Sequence, residues 1–305
     1  MKILEPFRLA PRFSERIWGR PNLRPWYEET GTTELVGEAW LTGPESLVET
    51  GPLTGRTLAS AVQEFGDEIV GPQGDREFPL LVKILFPNEK LSVQVHPDDA
   101  LAQAMGQPRG KTECWYVLEA EPGATVALGL HEGVGRDEVR AAVAAGTMEH
   151  LLNQLPVQVG DMVFVDAGTV HAIEPGVVLL ETQQTSDVTY RLYDYGRPRE
   201  LHLEDGLRVM KTDTKAGKVA PSKRDGFVRL IEEQYFSVDR FDVGSGVTQV
   251  EMPSAGCLVG LKGSGSVNGV SFRAGQAVVV PVVSGSVKVE AAAEFSFARC
   301  LSPHN

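Results

Sequence analysis

The sequence predicts a mainly β protein: two β-barrel domains of jelly-roll type, the first carrying helical insertions. Three observations point there. Short β-branched runs recur, each bounded by Gly, Pro, Asp or Asn, as short antiparallel strands require. One stretch alone, Arg136–Leu155, shows a sustained helical period of apolar residues. A polar, lysine-rich segment without periodicity, residues 211–226, separates this part from a tail in which every apolar run is strand-like.

Taken in order, Leu58–Phe65 reads as a short helix and Pro79–Phe86 as a strand. Leu91–His96 is strand-like, and Asp98–Met105 opens with an acidic pair that suits a helix N-terminus. Strands follow at Glu113–Leu118, Met162–Val165 and Gly176–Thr182. Between them Val139, Ala142, Val143, Met148, Leu151, Leu152 and Leu155 approximate one helical face, which Gly146 divides into two predicted helices. Past the connector, strands are expected at Phe236–Val243, Val247–Met252, Gly256–Gly260, Gln276–Val283 and Ser286–Glu290. The domain division is therefore 1–215 and 226–305.

A formal net charge of −12 argues against nucleic acid as a partner, and it means that any phosphate site must be built locally from a few Lys and Arg. Met1–Phe13 lacks the apolar core of an export signal, and no apolar run reaches the ~18 residues needed to span a bilayer. The expectation is a cytoplasmic protein with no membrane partner; nothing in the sequence specifies an oligomeric state. Cys114, Cys257 and Cys300 form no C-x-x-C pair, so they read as buried small hydrophobes and not as thiolate ligands.

The chemistry concentrates in three segments. In a strand over Leu91–His96, Ser92, Gln94 and His96 share one face while Val93 and Val95 share the other. A polar row facing the inside of a small barrel is costly unless something binds there. Lys111, Glu113 and Trp115 alternate in the same way further on, and Gly160–His171 then supplies a strand, a tight turn and a histidine. That last spacing (Gly160, five residues, Asp166 at the turn, Gly168, then His171) resembles the second motif of the cupin superfamily, whose jelly-roll barrels carry a metal inside. Gln94-x-His96 with a distant Glu113 departs from the usual first cupin motif and resembles type I phosphomannose isomerases. Arg16–Gly19, Gly37–Trp40, Phe78–Leu85, Leu91–Asp99, Gly110–Tyr116, Gly168–Ile173 and Ser186–Arg197 extend that resemblance across residues 16–210.

The resemblance implies two cupin-type jelly rolls and one metal held by Gln94, His96, Glu113 and His171. This donor set suits Zn²⁺ and also accepts other divalent metals. It further implies a small sugar phosphate as substrate and an aldose–ketose isomerisation of mannose 6-phosphate and fructose 6-phosphate through an enediol(ate). Lys111, Asp187, Arg191 and Glu181 match positions with catalytic or pocket roles, and Lys83, Ser92 and Arg191 match phosphate-side positions. Lys111 is expected to have a lowered pKa beside a divalent cation. Lys83, a lysine within an apolar strand, needs either a partner or an edge from which to reach solvent.

Trp18, Trp40 and Trp115 read as core, His150 and His304 as solvated side chains, and His131 as a candidate for the pocket mouth. In the tail, Gly275, five residues and Pro281 repeat the cupin cadence, but no histidine follows before His304. The tail is thus expected to keep the fold without the metal. Two other readings accommodate a metal in a cupin: a metal-dependent oxygenase, and a non-catalytic sugar-phosphate-binding cupin.

Overall fold

The computed structural model describes residues 4–72 and 76–303. The chain is mainly β, built of antiparallel ladders, and no helix among the described residues is long and apolar enough to cross a membrane. It folds into two compact units. One takes Arg16–Arg20 and Leu85–Val219; the other takes the residues before Arg16, then Pro21–Ile84, then those from Ala220 onward. The crossing at 219/220 lies inside the lysine-rich segment, whereas Pro21–Ile84 groups with the C-terminal residues. Pairing links the pieces: Phe7–Leu9 forms a ladder with Ala277–Val280 at the edge of the C-terminal sheet, and Leu9 bridges Val48 of Pro21–Ile84.

In the unit containing Leu85–Val219, Glu113–Ala120 lies between Met162–Val165 and Val177–Gln184, with Gly217–Val219 outside Met162–Val165. A second sheet runs in the order Tyr190–Tyr193, Val93–Val95, His171–Ile173, Thr125–Leu130, Leu152–Pro156. Strand alternation sorts most of the second sheet, up to the register shift after Ala127 that turns Leu130 to the other side. Val126, Leu128 and Ile173 face Trp115, Val117, Val163, Val165 and Leu179 of the first sheet. Val93, Val95, Ala127, Ala172 and Leu192 point the opposite way, under a helical layer that supplies Val139, Ala142, Leu207 and Val209.

The helices follow local signals. Thr57 caps Leu58–Ile69 by accepting from Ser60 N at 3.1 Å, and Asp98 caps Asp99–Ala104 by accepting from Leu101 N at 3.0 Å. Arg136–Ala145 ends at Gly146 in the left-handed region (φ 72°), as the sequence indicates. The second predicted helix does not form. Met148–Leu151 makes a single 3₁₀ turn, and Leu152–Pro156 is a strand paired with Thr125–Leu130. The apolar spacing serves both geometries: as strand residues three apart, Leu152 faces the helical layer and Leu155 the core between the sheets.

Residues 211–226 are likewise more than a connector, since Gly217–Val219 and Ser222–Arg224 each add a short strand to an existing sheet. A helix at Leu203–Val209, short and with Gly206 in its interior, was not legible in the sequence.

The other unit has a seven-stranded sheet from Phe7–Leu9 to Ser222–Arg224 and a four-stranded sheet of Gly246–Glu251, Ser286–Ala291, Ser264–Val267 and Val270–Arg273. Phe241, Leu258, Phe272, Val278, Val280, Val289, Phe295 and Phe297 fill the core between them. The expected strand Gln276–Val283 stops at Val280, because Pro281 has no N–H to continue the ladder and a 3₁₀ turn follows.

Candidate metal centre

The paired rows of the two sheets bring the polar residues together. Across the second sheet Arg191 lies opposite Gln94, Gln94 opposite His171, and His171 opposite Leu128. In the first sheet Gln183 lies opposite Glu113 and Glu181 opposite Trp115. Gln94, His171, Glu113 and Gln183 therefore point into the same interior, between layers that are otherwise apolar.

Main-chain carbonyls orient both imidazoles. His171 Nδ1 lies 2.9 Å from the Thr169 carbonyl, and His96 Nδ1 lies 2.8 Å from the Val188 carbonyl. A carbonyl only accepts, so each Nδ1 carries the proton and each Nε2 keeps its lone pair. Both Nε2 atoms face Glu113, at 3.7 Å from Oε2 for His96 and 3.5 Å from Oε1 for His171. Burial in the first place, aided by the nearby Lys111 charge, lowers the His171 pKa to about 4, so the ring is neutral at pH 7.

Two glycines hold these segments in contact. Gly168 sits at φ 96° in the turn before His171 and donates its N–H to the His96 carbonyl at 2.8 Å, tying one histidine segment to the other. Gly110 packs so closely that a Cβ there would lie 2.5 Å from the Pro97 carbonyl oxygen, and Lys111 N bonds that same carbonyl at 3.0 Å. Lys111 Nζ is thereby placed 3.1 Å from His96 Nε2 and 2.9 Å from Glu113 Oε2.

Glu113 is fully buried. Its Oε1 accepts from Trp115 Nε1 at 3.2 Å; its Oε2 meets the Lys111 ammonium only as an ion pair and receives no aligned hydrogen bond. Burial alone would lower the Lys111 pKa, but the charges of Glu113, Glu181 and Asp187 outweigh it and push the value up. The lowered pKa expected from the sequence rests on a divalent cation beside the lysine; the protein groups by themselves act in the opposite direction.

One ligand atom from each of His96, Glu113 and His171 lies within 4.8 Å of the other two, the only such group among the described residues. Two inward-facing imidazole nitrogens and the carboxylate of Glu113, whose Oε2 receives no aligned hydrogen bond, fit a divalent metal. Gln94 stands beside them with Nε2 3.3 Å from His171 Nε2, while its Oε1 accepts from Ser92 Oγ at 3.3 Å. Ligation by this residue requires the amide turned over, an orientation that follows whatever hydrogen bonds are offered.

The other sequence candidates fall at different depths. Glu181 is buried and accepts from Trp115 Nε1 at 3.3 Å. Asp187 is exposed and acts on Lys111 through its charge. Arg191 is half-buried, donates through Nη1 to the Glu200 carbonyl at 2.8 Å, and keeps a buried Nε with no acceptor.

Lys83 belongs to the other compact unit. Only 2% exposed, it does not reach solvent from an edge; its ammonium lies 4.5 Å over the half-buried ring of Trp40, which is therefore no simple core anchor. His131 and His150 are exposed, and His304 lies outside the described residues.

Two residues on the expected faces were given no role in the site by the sequence reading. Trp115 reads as core, and it is buried, yet its N–H bridges Glu113 and Glu181. Gln183, fully buried with Oε1 lacking a donor, shares the Glu181 face, and that alternation was its only signal.

Fold and site together define a mainly β protein with one buried His₂–Glu centre competent for a divalent metal and a lysine set against it. Residues 6–134 match the model of the phosphomannose isomerase type I catalytic domain. A mannose-6-phosphate isomerase of Streptococcus mutans is 36% identical over 296 residues, covering 91% of this chain and 92% of that protein. One from Bacillus subtilis is 35% identical and covers 98% and 99%. A crystal structure of the Bacillus subtilis mannose 6-phosphate isomerase superposes with a TM-score of 0.87 at 30% identity, over 97% of this chain and 99% of that one. The chain belongs to the type I phosphomannose isomerase family, a family of aldose–ketose isomerases.

Proposed function

We propose that this protein interconverts mannose 6-phosphate and fructose 6-phosphate using one divalent cation, zinc by preference, held by Gln94, His96, Glu113 and His171. The observation that carries this reading is the convergence of two carbonyl-oriented Nε2 atoms on the buried Glu113, with the Lys111 ammonium within 3.1 Å. When bound, the cation supplies positive charge that stabilises an oxygen anion developing on the sugar.

The chain's own residues do the rest. Lys111 is the group placed to hand a proton to, or take one from, the substrate at C1 and C2. The charges of Glu113, then Glu181 and Asp187, favour its ammonium form against the cost of burial. Arg191 offers its guanidinium Nε–H to the phosphate, and Ser92 and Lys83 are assigned to the phosphate by the family resemblance. Lys111, Glu113 and Glu181 are buried, so their charges act in a lower dielectric than that of water. The catalytic chemistry is assigned to the cupin-type jelly roll within 1–215, and the stretch 226–305 to a second, metal-free one. The site of action is assigned to the cytoplasm.

A coupled assay on mannose 6-phosphate, with metal analysis of the same sample, tests this. Turnover should accompany about one metal per chain, vanish with chelator and return on adding back zinc. Full isomerase activity in metal-stripped protein would overturn the reading. Oxygen uptake without isomerisation would favour the oxygenase, and sugar-phosphate binding without turnover the non-catalytic cupin.

A further inference from the structure

The lysine of the centre is carried by a segment with no regular pairing of its own. Residues 110–112 lie between the helix Asp99–Ala104 and the strand Glu113–Ala120, yet each backbone N–H among them meets a fixed acceptor. Gly110 N–H bonds Asp99 Oδ1 at 2.8 Å, Lys111 N–H bonds the Pro97 carbonyl at 3.0 Å, and Thr112 N–H bonds Gln184 Oε1 at 2.9 Å. The first and last of these acceptors are side chains, and they are joined to each other. Gln184 Nε2 donates to the same Asp99 Oδ1 at 2.9 Å.

Gln184 ends the strand Val177–Gln184, and its own N–H reaches the Thr112 carbonyl at 3.3 Å. Gln183 stands opposite Glu113 and shares its face, so alternation puts the Gln184 side chain on the other face, behind the centre. That side chain is buried, and its partners orient the amide: a backbone donor fixes the oxygen and a carboxylate fixes the nitrogen. The Gln184 carbonyl accepts from Ser186 N–H at 2.7 Å and from Gln183 Nε2 at 3.1 Å, and so starts the turn that carries Asp187. One residue thus fastens the Lys111 segment both to the helix start at Asp99 and to the turn at Asp187.

We propose that Asp99 and Gln184 are positioning residues for Lys111, a paired clamp that fixes the backbone from which its ammonium reaches His96 Nε2 and Glu113 Oε2. This rests on the assignment of proton transfer to Lys111. A lysine has a long flexible stem, so its ammonium is well aimed only when the backbone beneath it is held, and a segment between elements is otherwise free to move. A misplacement of about 1 Å can cost about 10²-fold in rate, which makes such a clamp matter to the chemistry. Asp99 and Gln184 act through Lys111 and stand apart from the reacting atoms.

Steady-state kinetics and amide hydrogen exchange of zinc-loaded variants test the clamp. Gln184→Met and Asp99→Ala should each lower kcat about 10–100-fold at nearly constant KM, with zinc affinity by chelator competition unchanged. Asp99→Asn keeps an oxygen for both donors and should recover most of the loss. The double variant should lose little more than the worse single one, and in a Lys111→Met background Gln184→Met should cost no more than about twofold further. Exchange of the amides of residues 110–112 should quicken in Gln184→Met and Asp99→Ala, a readout that needs no turnover.

Unchanged kcat in both Gln184→Met and Asp99→Ala, beside a loss in Lys111→Met, would overturn the proposal and leave the isomerase reading standing. An equal loss from Gln184→Met with and without Lys111 would overturn it too. If Gln184→Met does not fold, the two Asp99 variants decide. Full turnover in Lys111→Met would remove the lysine's role and the proposal with it. In a wild-type protein that leaves mannose 6-phosphate unchanged the isomerase reading fails, and exchange at residues 110–112 alone then upholds the clamp by quickening or overturns it by staying constant.

Discussion

The two compact units both close antiparallel sheets over an apolar core, and both bury charge inside, but they treat that charge differently. In the unit with the C-terminal residues, Asp239 is fully buried and Arg299 answers it, with Nη2 2.7 Å and Nε 3.1 Å from Oδ2. Arg299 also lies 5.0 Å over Phe227 and 5.2 Å over Phe241, so the ion pair closes on itself and on the aromatic core.

In the unit with Leu85–Val219 the buried polar groups do not close. Gln183 Oε1 and Arg191 Nε are buried without a hydrogen-bond partner, while Glu113 Oε2 meets the Lys111 ammonium as an ion pair at 2.9 Å and both imidazole Nε2 atoms turn toward that carboxylate. An unmet buried donor or acceptor costs about 1–3 kcal/mol. A fold that retains such groups in the unit where His96, Glu113 and His171 converge is set up for a ligand.

That contrast is open to breaking. The largest effect is expected from Glu113→Ala or His171→Ala, each of which should empty the metal centre and cut turnover on the order of 10³-fold or more. Metal analysis beside the assay checks both halves, and retained metal with retained turnover would remove Glu113 from the site. Lys111→Met should lose about 10²–10⁴-fold in kcat while the protein keeps its metal, since the lysine is assigned to proton transfer and not to ligation.

Gly110→Ala comes next. A Cβ 2.5 Å from the Pro97 carbonyl oxygen forces the two backbones apart and draws Lys111 away from His96, so a loss of about 10–100-fold in kcat is expected with metal content unchanged. In the other unit, Phe297→Ala should have the smallest effect on chemistry. It removes a fully buried ring stacked on Phe241 with centroids 5.0 Å apart, so unfolding stability should fall by about 3–5 kcal/mol. Activity per folded molecule should hold; a selective loss of metal or of kcat there would undo the division of labour.

Much of the site was legible because strand alternation is a local rule. Ser92, Gln94 and His96 on one face, Val93 and Val95 on the other, Lys111 with Glu113 and Trp115, and Glu181 with Gln183 follow from a period of two residues. The histidine turn was legible because Gly168 and His171 stand at fixed offsets in one short segment. What failed to show was non-local or degenerate. Leu152 and Leu155 satisfy a helix and a strand equally well, and pairing with Thr125–Leu130 decided for the strand. Phe7–Leu9 belongs to the C-terminal sheet through a ladder some 270 residues away in sequence, a distance no local pattern reports.

By itself, then, the sequence determined the donor chemistry of the centre, the faces on which those donors stand, and the absence of a matching histidine after Gly275. Only the tertiary structure decided which ring nitrogen each histidine presents, how Trp115 divides its N–H between two carboxylates, and that Asp99 and Gln184 hold the backbone on either side of Lys111. The reason is that these depend on partners supplied from afar. The Val188 carbonyl that orients His96 lies 92 residues along the chain, and a side chain's charge and direction are set by what the fold brings against it.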